Sequence, residues 1–218
     1  MINMTTHTDY VEAIDHLPIG AALVVHDLTW DEYERLLREF THRHLRFNYD
    51  SGRLEVVSPL PEHEFYGRLI SGLMRIISEE LQVEIEDYGC STWKRKSLSK
   101  GAESDACFYV GGSERINDRL HIDLESDTPP DIVVEIDTTR DSTRKFAIYA
   151  ALLVPEVWLY DGKTMRFFQL AGNSYSPVAE SRYVQELRPV MLESVLDKCK
   201  QRGQTAALHE FRRQFRNC

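Results

Sequence analysis

Several patterns that mark common protein classes are missing from this chain of 218 residues. Its four cysteines form no Cys-x-x-Cys pair, which argues against structural zinc and favours a reducing compartment such as the cytoplasm. It has no apolar run of about 18 residues, the length that suits a bilayer. The N-terminal segment lacks the basic and apolar regions of a secretory signal. We therefore expect a cytoplasmic protein without a membrane span.

An excess of positive charge is also missing. The net charge of −9 argues against binding nucleic acid by bulk attraction, although it is compatible with a local basic groove. The motifs Gly-x-Ser-x-Gly, His-Glu-x-x-His and Gly-x-Gly-x-x-Gly are absent, which removes several enzyme classes. Hydrophobic residues make up 42% of the chain, which predicts one globular domain over residues 1–218.

The most informative stretch that is present covers residues 129–154. Positions 132–136 are nearly all β-branched and do not alternate with polar residues, which predicts a strand covered on both sides. Because residues two apart on a strand share a face, Asp131, Glu135 and Asp137 are expected to point the same way. Burying several carboxylates is costly without a cation. The pattern therefore indicates a divalent metal.

The helix that follows this strand carries Lys145 on an apolar face. Lys145 shares that face with Ile148, Tyr149 and Leu152 at helical spacing. Two interpretations remain open at this point. The lysine either packs its stem and extends its ammonium group to solvent, or it lies beside the acidic strand.

The rest of the chain gives a coarse order of elements. We expect a lead-in at 1–27, a core at 28–188 and a basic helical tail at 189–218. The core contains a capped amphipathic helix (28–40), a β-hairpin (45–57), a long helix (62–81) with Phe65 and Leu81 on its inward face, a strand (83–93), a basic loop (94–100), a strand (105–110), and, after the central stretch, a strand (156–160) joined by a two-residue turn to another (163–170); helices are expected at 189–200 and 205–215.

Four residues are candidates for chemistry: Glu64 in the first turn of the long helix, Asp105 at the start of a strand, Glu135 and Lys145. Carboxylate oxygens suit Mg²⁺, with Mn²⁺ as a substitute. Such an ion activates a bound water and absorbs charge on a leaving oxygen, while a lysine can position that water or stabilise a phosphate. The set fits phosphodiester hydrolysis. The alternative role of Glu64 is to complement the helix dipole.

These residues and their order resemble the PD-(D/E)XK nuclease superfamily and, more closely, the Uma-type family of restriction endonucleases. The matching stretches are residues 58–64, 103–109, 129–137 and 145–158. The resemblance implies an α+β fold with a restriction-endonuclease-like mixed β-sheet flanked by helices, in a homodimer that acts on DNA. It also implies that Asp105 and Glu135 hold the metal, that Lys145 is the catalytic lysine, and that Glu64 is an accessory acid.

Two departures from the superfamily pattern bear on this assignment. The superfamily places its lysine two residues after the glutamate, where this chain has Asp137, and Lys145 comes from the next helix instead. Ser104 replaces the proline that many relatives carry before the aspartate. Neither change removes charge from the site.

Three functions are compatible with the sequence. The first is a Mg²⁺-dependent DNA endonuclease, which the intact acid–acid–lysine set favours. The second is a catalytically inactive protein that keeps the nuclease fold for binding or assembly, which the acidic net charge favours. The third is a hydrolase of a smaller phosphodiester. We also expect Glu135→Gln to stabilise the metal-free protein, because it removes a poorly solvated negative charge.

Overall fold

Two β-sheets and the helices that cover them make up the protein, and the computed structural model describes residues 7–111, 121–138 and 143–215. The helices in these ranges are α1 (His7–Asp15), α2 (Trp30–Glu39), α3 (Pro61–Leu81), α4 (Thr143–Ala151), α5 (Pro189–Arg202) and α6 (Gln204–Phe215). The strands are β1 (Ala22–Val25), β2 (Arg46–Asp50), β3 (Arg53–Val57), β4 (Ile85–Asp87), β5 (Thr92–Arg95), β6 (Lys100–Glu103), β7 (Ala106–Val110), β8 (Ile132–Ile136), β9 (Glu156–Tyr160), β10 (Met165–Ala171) and β11 (Ser174–Val178). The expected α+β class is confirmed.

The two sheets differ in strand direction. The first has five antiparallel strands in the order β1-β3-β2-β6-β5. The second has six strands in the order β11-β10-β9-β8-β7-β4 and is mixed, because β8 and β9 run parallel while its other described pairs are antiparallel. Parallel neighbours need a crossover connection, and α4 lies in the one that joins β8 to β9.

Strand β8 is buried on both faces, as its uninterrupted β-branched sequence predicts. Ile132, Val134 and Ile136 belong to the core shared with α3, α5 and α6. Val133 faces the opposite way, into the core that contains Ile148 and Tyr149 of α4. Since Glu135 is two residues from Val133, its side chain is directed to the α4 side. The burial of the apolar residues of β8 on both faces thus fixes the position of Glu135.

The N-terminal part of the chain is ordered by its own small core. Thr29 caps α2 and forms the predicted capping box, in which Oε2 of Glu32 accepts a hydrogen bond of 2.8 Å from the Thr29 amide. Tyr10 and Ile14 of α1 are buried in the core that α2 shares with the first sheet. The segment expected to be a lead-in therefore contributes α1 and β1 to the fold.

The expected strand over residues 83–93 is wrong as a single element. The chain forms β4 in the second sheet and β5 in the first, and between them Gly89 adopts a φ of +57°. The basic loop expected at 94–100 is also wrong, because these residues form the end of β5, a 3₁₀ turn and the start of β6. Lys94 pairs with Glu34 at 2.6 Å and Lys96 with Asp31 at 3.1 Å. Both cations therefore form ion pairs with acids of α2.

Smaller differences appear at the surface. Phe65 and Leu81 of α3 are each 40% exposed, so they lie outside the inward stripe predicted for them. The turn after β9 is longer than two residues, since the Asp161 carboxylate accepts the amides of Lys163 and Thr164 and β10 begins at Met165. Strand β11 was not predicted. No helix in the described ranges is long and apolar enough to cross a membrane.

Candidate active site

The candidate site lies where the chain passes from one sheet to the other. Glu103 ends β6 in the first sheet, and Asp105 directly precedes β7 in the second. The β7–β8 register pairs Ala106 with Val134, which brings Asp105 alongside the end of β8. The Asp105 amide donates to the Val134 carbonyl at 3.1 Å, and Oδ2 of Asp105 accepts the Ile136 amide at 2.8 Å. Asp105 is thus fixed beside Glu135 by backbone contacts.

Glu135 and Lys145 form a buried ion pair. Nζ of Lys145 donates to Oε2 of Glu135 at 2.8 Å and to the Glu103 carbonyl at 2.9 Å. The other oxygen of Glu135 accepts a hydrogen bond from the Tyr149 hydroxyl, one helical turn further along α4. Glu135 is fully buried and Lys145 is 9% exposed. The interpretation of Lys145 as a lysine that reaches solvent is therefore wrong.

A second cation, Arg46 of β2, lies among three acids. Its guanidinium is 3.1 Å from Oε1 of Glu64, 3.6 Å from Oδ1 of Asp105 and 3.9 Å from Oε2 of Glu103. The same group also contacts Sγ of Cys90. Arg46 is buried, so these contacts take place with little screening by water. Arg46 therefore joins Glu64 to the acids at the sheet junction.

The first two turns of α3 border the site. Nδ1 of His63 is 3.3 Å from Oδ2 of Asp105. Glu64 contacts Arg46, His44 and Arg68, and its side chain is 32% exposed. Gly67 lets α3 pass close to the junction, because a Cβ atom there would lie 2.9 Å from the Asp105 carbonyl oxygen. The helix can approach Asp105 this closely only with glycine at this position.

The pKa values of the two strand acids, Glu135 and Asp105, are shifted in opposite directions. Burial raises the pKa of Glu135 to about 7, and the attraction of Lys145 opposes that rise. Burial acts on Asp105 in the same sense, but the His63 hydrogen bond and the positive charges of Lys145 and Arg46 outweigh it and lower the pKa of Asp105. The Lys145 pKa is raised: burial favours its neutral form, and the negative charges of Glu135 and Asp105 prevail. Asp105 is therefore the more firmly ionised acid.

Asp105 and Glu135 are the residues of this cluster that could hold a divalent metal ion. In the described part of the chain, no group of three or more His, Cys, Asp and Glu residues is arranged to hold a metal. The site instead offers two carboxylates, Asp105 and Glu135, next to each other at the ends of adjacent strands. Mg²⁺ is commonly held by one or two carboxylates, with water and substrate phosphate completing its shell.

The sequence-predicted residues come together to different degrees. Asp105, Glu135 and Lys145 meet at one place, and Glu64 reaches them through Arg46. Asp131 does not take part in the cluster, since its Oδ2 accepts the Val110 amide at 2.8 Å. That bond gives Asp131 a structural role within the second sheet.

Sequence reasoning missed four residues of the cluster: Arg46, His63, Glu103 and Tyr149. Signals for three of them were present. His63 and Glu103 lie within the stretches that carry the family resemblance, and Tyr149 shares the helix face of Lys145. Arg46 had no comparable signal, because a polar residue on an alternating hairpin strand is usually exposed.

Comparison with known protein families gives a match over most of the chain. The family model described as "Uma2: Putative restriction endonuclease" matches residues 30–199. This range includes all four sequence-predicted site residues. No curated protein matches the chain.

Proposed function

The chain belongs to the family described as Uma2, putative restriction endonuclease, and from this premise we propose that it is a Mg²⁺-dependent endonuclease that hydrolyses DNA phosphodiester bonds. The observation that carries the proposal is the buried Lys145–Glu135 pair beside Asp105. Such a pair is costly for a fold to keep. Because Asp105 lies beside the Lys145–Glu135 pair, the three side chains form a set that suits the hydrolysis of a phosphodiester bond.

Asp105 and Glu135 are the residues that would hold the ion. When bound, Mg²⁺ supplies a more acidic water and neutralises charge on the leaving oxygen. The protein's own groups prepare this place. Tyr149 and Lys145 fix both oxygens of Glu135, and the Ile136 amide and His63 fix Oδ2 of Asp105.

Lys145 has the chemistry to assist the substrate directly. Its ammonium has three protons, and two of them are directed to Glu135 and to the Glu103 carbonyl. The third is the group we assign to the scissile phosphate or to the attacking water. A positive charge at that point stabilises the transition state, in which negative charge builds up on the phosphate oxygens. Arg46 is assigned a positioning role, because it contacts Asp105 and Glu64 from within the fold.

A second candidate function is a catalytically inactive protein that uses the nuclease fold for binding or assembly. The net charge of −9 favours it, since it weakens attraction to DNA. In that case the Lys145–Glu135 pair would serve only the fold.

Cleavage of supercoiled plasmid by the purified protein separates the two functions. We expect nicking in Mg²⁺ or Mn²⁺ and none in EDTA, with Asp105→Asn, Glu135→Gln and Lys145→Met each slowing it on the order of a hundredfold or more. Glu180→Gln, an exposed acid remote in sequence from the cluster, is the matched control and should cleave normally. A wild-type protein that leaves plasmid intact in both metals would support the inactive alternative.

The homodimer implied by the family resemblance is part of this proposal. Two copies would allow both strands of a duplex to be cut, one by each site. Sedimentation equilibrium measures the oligomeric state directly. A protein that is monomeric at all concentrations would remove the dimer from the proposal and leave the cleavage test unaffected.

A further inference from the structure

A basic groove lies between α3 and the pair of helices α5 and α6. Six of its lining residues are Lys or Arg: Arg68, Arg75, Lys198, Arg202, Arg212 and Arg213, against two carboxylates, Asp87 and Glu210. Gly72 of α3 faces Leu208 of α6 within it, and a Cβ atom at Gly72 would meet that side chain at an ordinary contact distance of 3.7 Å. On a chain with a net charge of −9, this concentration of positive charge is a local feature and not a consequence of composition.

Part of this charge holds the helices together. Arg212 of α6 pairs with Glu79 at 2.5 Å and with Glu80 at 3.3 Å, both on α3. Lys198 of α5 pairs with Glu210 of α6 at 2.5 Å. These two cations therefore fix the walls of the groove and are already neutralised by protein groups.

Three arginines of the groove have no such role. Over residues 7–111, 121–138 and 143–215, Arg75, Arg202 and Arg213 form no ion pair with a carboxylate, and each is exposed. The nearby carboxylate of Glu210 is bonded to Lys198, which lowers the Glu210 pKa, and Arg202 and Arg213 add only a smaller effect in the same direction. Several like charges around one groove repel each other and attract an anion with repeated charge.

Arg68 connects this groove to the candidate active site. Its side chain is 82% exposed and lines both the basic groove and the neighbouring cavity that contains Glu64 and Arg46. Glu64, Arg68, Gly72 and Arg75 follow each other at intervals of three or four residues, so they share one face of α3. Arg68 therefore joins the basic groove to the cavity that Arg46 and Glu64 line.

The dimensions of the groove suit a nucleic-acid backbone. Seven residues separate Arg68 from Arg75, which corresponds to about 10 Å along a helix at 1.5 Å per residue. One strand of duplex DNA carries a phosphate for about every 3.4 Å of axis, so about three phosphates pass along that length. A single small anion would not need charges spread this far.

We propose that the groove between α3 and α6 holds the phosphate backbone of duplex DNA beside the point of cleavage, through Arg68, Arg75, Arg202 and Arg213. The inference rests on the proposed function, because it takes DNA as the substrate. It adds the surface that binds the duplex and the direction in which the duplex leaves the site. Binding through these residues is independent of base sequence and depends on salt, since only phosphates are contacted.

The test measures binding to a fluorescein-labelled 30-base-pair duplex in EDTA. Fluorescence anisotropy reports the binding at KCl concentrations between 50 and 200 mM. Without metal the duplex stays intact, so this result is separate from the cleavage test. The groove variant carries Arg75→Gln, Arg202→Gln and Arg213→Gln. The matched control carries Arg38→Gln, Arg166→Gln and Arg188→Gln, three exposed arginines outside the groove that give the same change in net charge.

We expect the groove variant to bind on the order of 10- to 100-fold more weakly, with a salt slope reduced by about 3, because each lost phosphate contact removes about 0.9 from the slope. The control should stay within about twofold of wild type, and replacing the same three groove arginines with lysine should retain most of the binding. Thermal melting checks that the variants remain folded.

Three results would overturn the inference. Equal weakening of the groove and control variants would mean that only net charge matters. Wild-type protein that cleaves plasmid yet binds the duplex no better than the groove variant would place the backbone elsewhere. A groove variant with unchanged DNA binding but a changed sedimentation coefficient would assign the groove to contacts between copies of the chain.

Discussion

The buried charge of Glu135 gives the sharpest test of the site's energetics. Burial raises the pKa of this carboxyl from about 4.5 to about 7 despite the nearby Lys145, so ionised Glu135 is less favourable in the folded than in the unfolded chain. A tenfold change in proton affinity corresponds to about 1.4 kcal/mol, which gives about 3 kcal/mol at pH 8. Glutamine resembles the protonated acid in shape and charge. In metal-free buffer at pH 8, Glu135→Gln should therefore raise the free energy of unfolding by up to about 3 kcal/mol.

The pH dependence of this gain follows from linkage. Between about pH 4.5 and 7 the folded protein holds a proton on Glu135 that the unfolded chain has released. Wild-type stability therefore falls relative to the glutamine variant as pH rises through this window, and stays lower above it. At about pH 4.5 the two proteins should be nearly equal in stability. For a chain of this size the gain at pH 8 corresponds to roughly 6–12 °C in melting temperature.

Urea denaturation in EDTA at pH 5, 6, 7 and 8 measures the effect. The control is Glu156→Gln, the same substitution at a buried acid whose carboxylate accepts bonds from the Trp158 indole and the Arg182 amide. That variant should lose about 1–3 kcal/mol, because it disturbs satisfied hydrogen bonds. A Glu135→Gln variant less stable than wild type at pH 8 would refute the reasoning, since the ion pair with Lys145 would then outweigh the cost of burial.

Four further substitutions test the stability of the fold, two of them at residues that contact the site. Arg46→Met removes the cation among three acids and should cost about 3–5 kcal/mol in urea denaturation; a loss under about 1 kcal/mol would contradict its placement. Gly67→Ala should cost about 1–3 kcal/mol by forcing α3 away from Asp105, whereas Gly72→Ala, with ordinary contact at 3.7 Å, should be neutral or stabilising in the same assay. Thr29→Ala should lose about 1 kcal/mol with its capping box, seen as a lower melting temperature.

Local sequence signals predicted the parts of the site that lie close together in the chain. Strand β8 and Lys145 were recognised because β-branched burial and helical spacing operate over a few residues. The acid and the lysine are 10 residues apart, so a strand, a short connection and a helix place them on one side of the sheet. Asp105 was found through its position at the start of a strand and through the family resemblance.

The rest of the site depends on contacts that no local pattern contains. His63 and Asp105 are 42 residues apart, and they meet because the chain changes sheets at residues 104–105. Arg46 and Asn48 form the polar face of an alternating hairpin, a pattern that normally indicates exposure. In the fold this face is buried, with Arg46 6% and Asn48 2% exposed, because it packs against the sheet junction. The chain also passes between the two sheets near Gly89, where the predicted strand is interrupted, and the sequence offered little sign of that break.

The most direct measurement is an anomalous diffraction map of crystals soaked in Mn²⁺. Two carboxylates at the ends of β7 and β8, beside the Lys145 ammonium, are the basis of the proposed chemistry. We predict one strong anomalous peak between the side chains of Asp105 and Glu135, with Mn–O distances of about 2.1–2.2 Å, and no peak there in crystals of Asp105→Asn. A saturating soak that leaves this position empty, or a peak bound only by other residues, would contradict the account.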